Sequence, residues 1–161
     1  MRQTINPQMQ LGEVDISSIV FDPKSRDDIP RLLKALQHIY INPELRSKVF
    51  DALGSMVVAD KSNGRPGMDL WCILVLGTLR LVTNSDYDRL RELANEHGTL
   101  RSMLGHGEYC SHSYHIQTLQ DNVALFTPEV LDQVNQVVVS AGHALVKKKK
   151  SGYRAALTRL S

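Results

Sequence analysis

The chain has 161 residues, 42% hydrophobic and 22% charged: enough apolar content for one packed domain, without the low hydrophobicity of a disordered chain or the cysteine density of a disulfide scaffold. Its net charge of +2 conceals an asymmetry, because residues 147–161 carry six basic groups and no acid, which leaves thirteen basic against seventeen acidic groups in residues 1–146. Bulk charge therefore excludes a uniformly basic nucleic-acid binder, and any contact with DNA has to come from local features and from the tail.

Residues 1–24 mix Gln, Asn, Pro and Asp with isolated apolar residues and read as an irregular arm, with a short extended piece expected at Ile16–Phe21. A first helix is expected from Asp28, as N-cap, with Ile29, Leu32, Leu33, Leu36, Ile39 and Tyr40 at helical spacing. Asn42-Pro43-Glu44 repeats the start signal for a second helix, with Leu45, Val49, Leu53 and Met56 as its buried stripe and Lys61-Ser62-Asn63-Gly64 as its end. Met68–Val82 is apolar nearly all round and contains the single Trp, Trp71, which places it at the centre of a bundle. Its longest apolar run, Leu70–Leu79, is about half of the roughly 20 residues a bilayer span needs, so no membrane association is expected.

Ser85 and Asp88 form a capping box that opens a helix over Asp86–Glu96, and Thr99 is expected to cap a short segment, Leu100–Leu104, that Gly105 ends. Gly105–Ser113 reads as a loop. Tyr114–Phe126 then has Ile116, Leu119, Val123 and Phe126 on one face and Gln117, Thr118, Gln120, Asp121 and Asn122 on the other. Thr127-Pro128-Glu129 starts a last helix to about Val146, with Val130, Val134, Val137, Ala141 and Leu145 at alternating spacings of four and three. The expected fold is all-α: a compact multi-helix bundle over residues 25–146, with a helix-turn-helix-like unit, the irregular arm at 1–24 and a basic tail at 147–161.

The segment from Asp86 to Asn122 carries the residue types that contact DNA. Gln and Asn pair with adenine edges, Ser and Thr hydrogen-bond phosphates or bases, and a helix N-terminus favours phosphate. Tyr114–Asn122 is the expected recognition helix, with Ser113, His115, Gln117, Thr118 and Gln120 toward DNA and Arg89, Arg91 and Arg101 on the backbone. A solvated face on an ordinary bundle helix has the same composition. Arg65, inside Gly64-Arg65-Pro66, has the form of a minor-groove hook, or of a plain turn before a buried helix. Lys147, Lys148, Lys149 and Lys150 suit phosphate attraction and also the cationic end of a helix.

His106, Cys110, His112 and His115 are metal-ligand types, but they match no standard zinc spacing, so loop polarity is the expected explanation and neither metal nor cofactor is expected. No nucleophilic motif surrounds Cys110, Ser111 and His112. The N-terminus lacks the apolar core of a secretory signal, so Cys72 and Cys110 are expected as free thiols in the cytoplasm.

Several blocks in order, Arg26-Asp27-Asp28-Ile29-Pro30, residues 64–71, residues 86–95, Met103-Leu104-Gly105-His106, residues 117–122 and residues 141–147, resemble the N-terminal segment of bacterial insertion-sequence DDE transposases. The resemblance runs from about Ile16 to Lys150. It implies a helical domain that binds the terminal inverted repeats of the element in double-stranded DNA. It also implies that the three metal-binding carboxylates of the ribonuclease-H-like catalytic domain lie beyond this chain, which is expected to be non-catalytic. Codons able to encode Arg154–Ser161, read one base earlier, give Arg-Gly-Ala-Asp-Ser-Phe-Val, which resembles the first catalytic strand, so the tail is expected to be frameshifted. Two other readings are a helical module that pairs with itself or with full-length transposase, and a decayed remnant without function.

Overall fold

The structure, a computed structural model, describes residues 14–56 and 67–142. The chain is all-α, and among the described residues there is no β-strand. Among the described residues seven α-helices follow one another: α1 (Asp28–Ile41), α2 (Pro43–Met56), α3 (Leu70–Thr83), α4 (Tyr87–Glu96), α5 (Gly98–Met103), α6 (Ile116–Val123) and α7, residues 128–142.

Helix α3 is the axis of the bundle. Every residue from Leu70 to Leu79 is buried, and α1, α2, α4 and α6 all pack against it. A side chain such as Leu74 or Ile73, wholly removed from water, contributes roughly 1.5–3 kcal/mol of hydrophobic stabilisation. Trp71 fits this interior because its indole N–H donates to the Met103 carbonyl at 2.7 Å, which ties α3 to the end of α5. Its ring lies 5.2 Å from that of Tyr40, and Arg46 sits over the Tyr40 ring while donating to the Tyr40 carbonyl, so one cluster joins α1, α2 and α3.

The expected arm holds a 3-10 turn at Ile16–Ser18, not an extended piece, because the Asp15 carboxylate accepts the Ser17 N–H and closes the turn. Ile16 is buried, and Gln37 of α1 reaches across to donate to the carbonyls of Ile16 at 2.9 Å and Ile19 at 2.8 Å. Residues 1–13 lie outside the described residues.

Three helix starts differ by a residue or two from the expected caps. Asp27, not Asp28, caps α1 by accepting the Ile29 N–H. Asp86, not Ser85, caps α4 by accepting the Arg89 N–H at 2.8 Å; the Ser85 hydroxyl instead pairs with Thr83 at 2.6 Å, and left-handed Asn84 turns the chain between them. His97, not Thr99, caps α5: it is the sole residue between α4 and α5, and its Nδ1 accepts the Leu100 N–H at 3.2 Å. Gly105, at φ +89°, ends the turn after α5 as expected.

The expected helix over Tyr114–Phe126 forms only from Ile116 to Val123. It starts late because the backbone of Tyr114 is bonded elsewhere and His115 is extended. Thr127 caps α7, its hydroxyl accepting the Val130 N–H at 3.4 Å, and Val130 and Val134 are buried as the spacing requires. Leu145, the Lys61–Gly64 break and the tail at 147–161 lie outside the described residues.

Candidate nucleic-acid interface

Helix α6 is short, so its position is set from outside. At its near end, the Asn95 side chain of α4 meets the Tyr114 backbone twice: Nδ2 donates to the carbonyl at 3.0 Å and Oδ1 accepts the N–H at 2.7 Å. This is the pairing one strand makes with another, supplied here by a single amide. At its far end, Asn122 Oδ1 accepts the Met68 N–H at 3.2 Å, which docks α6 on the start of α3, and Asn122 Nδ2 donates to the Thr118 carbonyl. Leu119 and Val123 are fully buried beneath.

The loop before α6 is braced by Arg101. Its guanidinium donates to the carbonyls of Ala94 at 3.2 Å, Cys110 at 3.1 Å and His112 at 2.8 Å. Inside the loop, His106 Nε2 and the Tyr114 hydroxyl are 2.6 Å apart, His106 Nδ1 and Cys110 Sγ are 3.6 Å apart, and the His112 ring stacks on His106 at 4.8 Å. Burial, the adjacent His112 and the Arg101 charge hold His106 down at about 4, and burial, Arg101 and His115 lower His112, so both rings are neutral at pH 7. Burial first, and then the charge of Asp69, push the Cys72 thiol up to about 12, and burial likewise keeps the Tyr114 phenol protonated.

This framework leaves one polar face in solvent. Ser113, His115, Gln117, Thr118 and Gln120 are all exposed. Gln117 donates to Asp121 on its own helix at 2.8 Å, whereas the side chains of Ser113, His115, Thr118 and Gln120 have no hydrogen-bond partner among the described residues. His115 occupies the N-cap position of α6 without capping it, so the first N–H groups of the helix have no side-chain acceptor among the described residues. Asn122, expected on this face, is turned onto α3 instead.

The expected backbone cations divide. Arg89 and Arg91 are exposed on α4, which packs against α6, and among the described residues each pairs with a neighbouring carboxylate on its own helix, Glu92 at 3.1 Å and Asp88 at 3.7 Å. Arg101 is half-buried, and its donors are spent on carbonyls of the fold. Arg65, Lys147, Lys148, Lys149 and Lys150 lie outside the described residues.

The residues that build this site without any signal in the sequence reading are Asn95 and Tyr114, together with the inward roles of Arg101 and His106. Their partners are backbone groups or loop side chains, which leave no periodic trace. Among the described residues, no set of three or more His, Cys, Asp or Glu side chains is arranged to hold a metal ion, and no helix is long and apolar enough to cross a membrane. Comparison with protein-family models, with curated proteins and with solved structures finds no match for this chain.

Proposed function

We propose that this chain is a non-catalytic module that binds double-stranded DNA, of the kind that reads the terminal inverted repeats of an insertion sequence, with α6 as the reading helix. The observation that carries the reading is the outward face of α6. Gln117, Thr118 and Gln120 stand exposed on a helix fixed at both ends by Asn95 and Asn122, and its first N–H groups are open to an anion. A helix that reads base edges has to be held rigidly while its side chains stay available: Thr118 and Gln120 have no hydrogen-bond partner among the described residues, and Gln117 has only an exposed bond to Asp121 to exchange. Helices α4 and α5, joined through His97, and α6 beyond the braced loop then act as a helix-turn-helix-like unit in the cytoplasm.

Arg89 and Arg91 supply phosphate contacts in this reading. Their ion pairs are exposed and of small worth, so a phosphate replaces Glu92 or Asp88 at little cost. The lysine run at 147–150 adds salt-sensitive attraction. Gln117→Ala and Thr118→Ala test the assignment by fluorescence anisotropy on a repeat-bearing duplex. Each is expected to lower specific affinity by about 1–3 kcal/mol and to leave binding to scrambled duplex unchanged. Unaltered specific binding in both would remove α6 as the reader.

A second reading, pairing between helices of two copies or with full-length transposase, is favoured by α7. Val139 is 55% exposed there, on the side of the helix away from the four-three series of Val130, Val134, Val137 and Ala141, which packs on this chain's own core. A concentration-dependent dimer with no DNA affinity would support it over the first.

A further inference from the structure

We propose that Cys110 Sγ and His106 Nδ1 form a two-ligand site for a soft divalent cation of the zinc class, with solvent water filling the remaining positions. The two atoms lie 3.6 Å apart. A tetrahedral zinc with a thiolate at about 2.3 Å and an imidazole nitrogen at about 2.0–2.1 Å holds those two atoms about 3.6 Å from each other. The cation therefore fits between them with the loop as it stands, in the place of the thiol proton now shared with the ring.

Three further features belong to a ligating pair. The second ring nitrogen of His106 is held by the Tyr114 hydroxyl at 2.6 Å; with Nε2 as the donor, Nδ1 keeps its lone pair for the Cys110 side. The backbone of Cys110 is fixed by the Arg101 guanidinium on its carbonyl and by its N–H donating to the Gly107 carbonyl at 3.0 Å, so little order is lost on binding. Both side chains are half-buried and keep part of their surface in solvent, so water can reach the cation. Cys72, the other thiol, is buried against α3 neighbours and Tyr114 and offers no such access. Binding replaces the proton: the thiol loses H⁺ to solvent and the sulfur becomes an anionic ligand, which offsets the repulsion between the cation and Arg101.

Titration of the full chain with Co²⁺ under reducing conditions reads the site directly, because a thiolate on cobalt gives a near-ultraviolet charge-transfer band. The expected result is one equivalent per chain, a band lost in Cys110→Ser and retained in Cys72→Ala, and affinity at least about tenfold weaker in His106→Gln. No band up to about 1 mM cobalt, a band that survives Cys110→Ser, or half an equivalent per chain would each overturn the site. Should Cys72→Ala fail to fold, the Cys110→Ser and His106→Gln variants decide the matter, since both positions are half-buried in the loop and outside the core.

Discussion

Asn95 holds Tyr114 by both ends of one amide, donating to its carbonyl at 3.0 Å and accepting its N–H at 2.7 Å. The two residues are 19 positions apart, and the link fixes the point at which the loop gives way to α6. Asn95→Ala leaves a buried tyrosine with two unpaired backbone groups and is expected to cost about 1–3 kcal/mol in urea unfolding. Asn95→Asp keeps the acceptor and loses the donor, so its loss should be smaller. Equal stability of Asn95→Ala and the parent would show that the clasp is dispensable.

At Gly77 the backbone of α3 packs directly against Phe126, in the segment after α6. A Cβ there would stand 2.5 Å from the Phe126 ring, and Phe126 is 1% exposed with no room to withdraw. Gly77→Ala is expected to destabilise by about 1–3 kcal/mol through overpacking, despite the better helix propensity of alanine. Adding Phe126→Leu should return part of that loss, and a double-mutant cycle with no coupling would contradict the contact.

Acid should loosen the loop before α6. His106 falls from an ordinary 6.5 to about 4 in the fold, and His112 falls as well, so the unfolded chain binds more protons than the native one between those values. The stabilisation is complete above pH 6.5, declines as pH drops toward 4, and changes no further through His106 below that. Urea midpoints measured in chelator-treated buffer across this window should fall with acid, and the fall should be shallower in His106→Gln. Identical pH profiles for the two proteins would refute the assignment.

Gln37 anchors the arm to α1 through two carbonyls, Ile16 and Ile19. Gln37→Leu removes both donors and is expected to cost about 1–3 kcal/mol, with early amide exchange confined to the arm. Glutamate at this position should be worse, since it presents an anion to two acceptors.

The helical skeleton was legible wherever its signal was local. The unbroken apolar run Leu70–Leu79 announced a central helix, and the spacings of Leu33, Leu36 and Ile39 and of Leu45, Val49 and Leu53 announced two amphipathic ones. Cap positions slipped because neighbouring polar residues compete for one N–H: Ser85 against Asp86, Thr99 against His97. What stayed hidden depends on contacts far along the chain. Gln37 bonds to residues 21 and 18 positions away, and nothing in a helical stripe distinguishes a buried glutamine of this kind from a solvated one. Arg101 reads as a cation for the DNA backbone in the short segment Leu100–Leu104, yet it closes on the Cys110 and His112 carbonyls of the following loop. Tyr114 has helical spacing with its successors, but Asn95 captures its backbone before a helix begins.

The most direct test of the central claim is a titration of this protein against labelled duplex bearing an insertion-sequence terminal repeat and against scrambled duplex, at two salt concentrations. The account predicts a preference of order 10³ for the repeat, preserved as salt weakens both affinities. Equal and steeply salt-dependent binding to both duplexes would leave only the lysine run at 147–150 at work and would contradict the assignment of α6 as a reading helix.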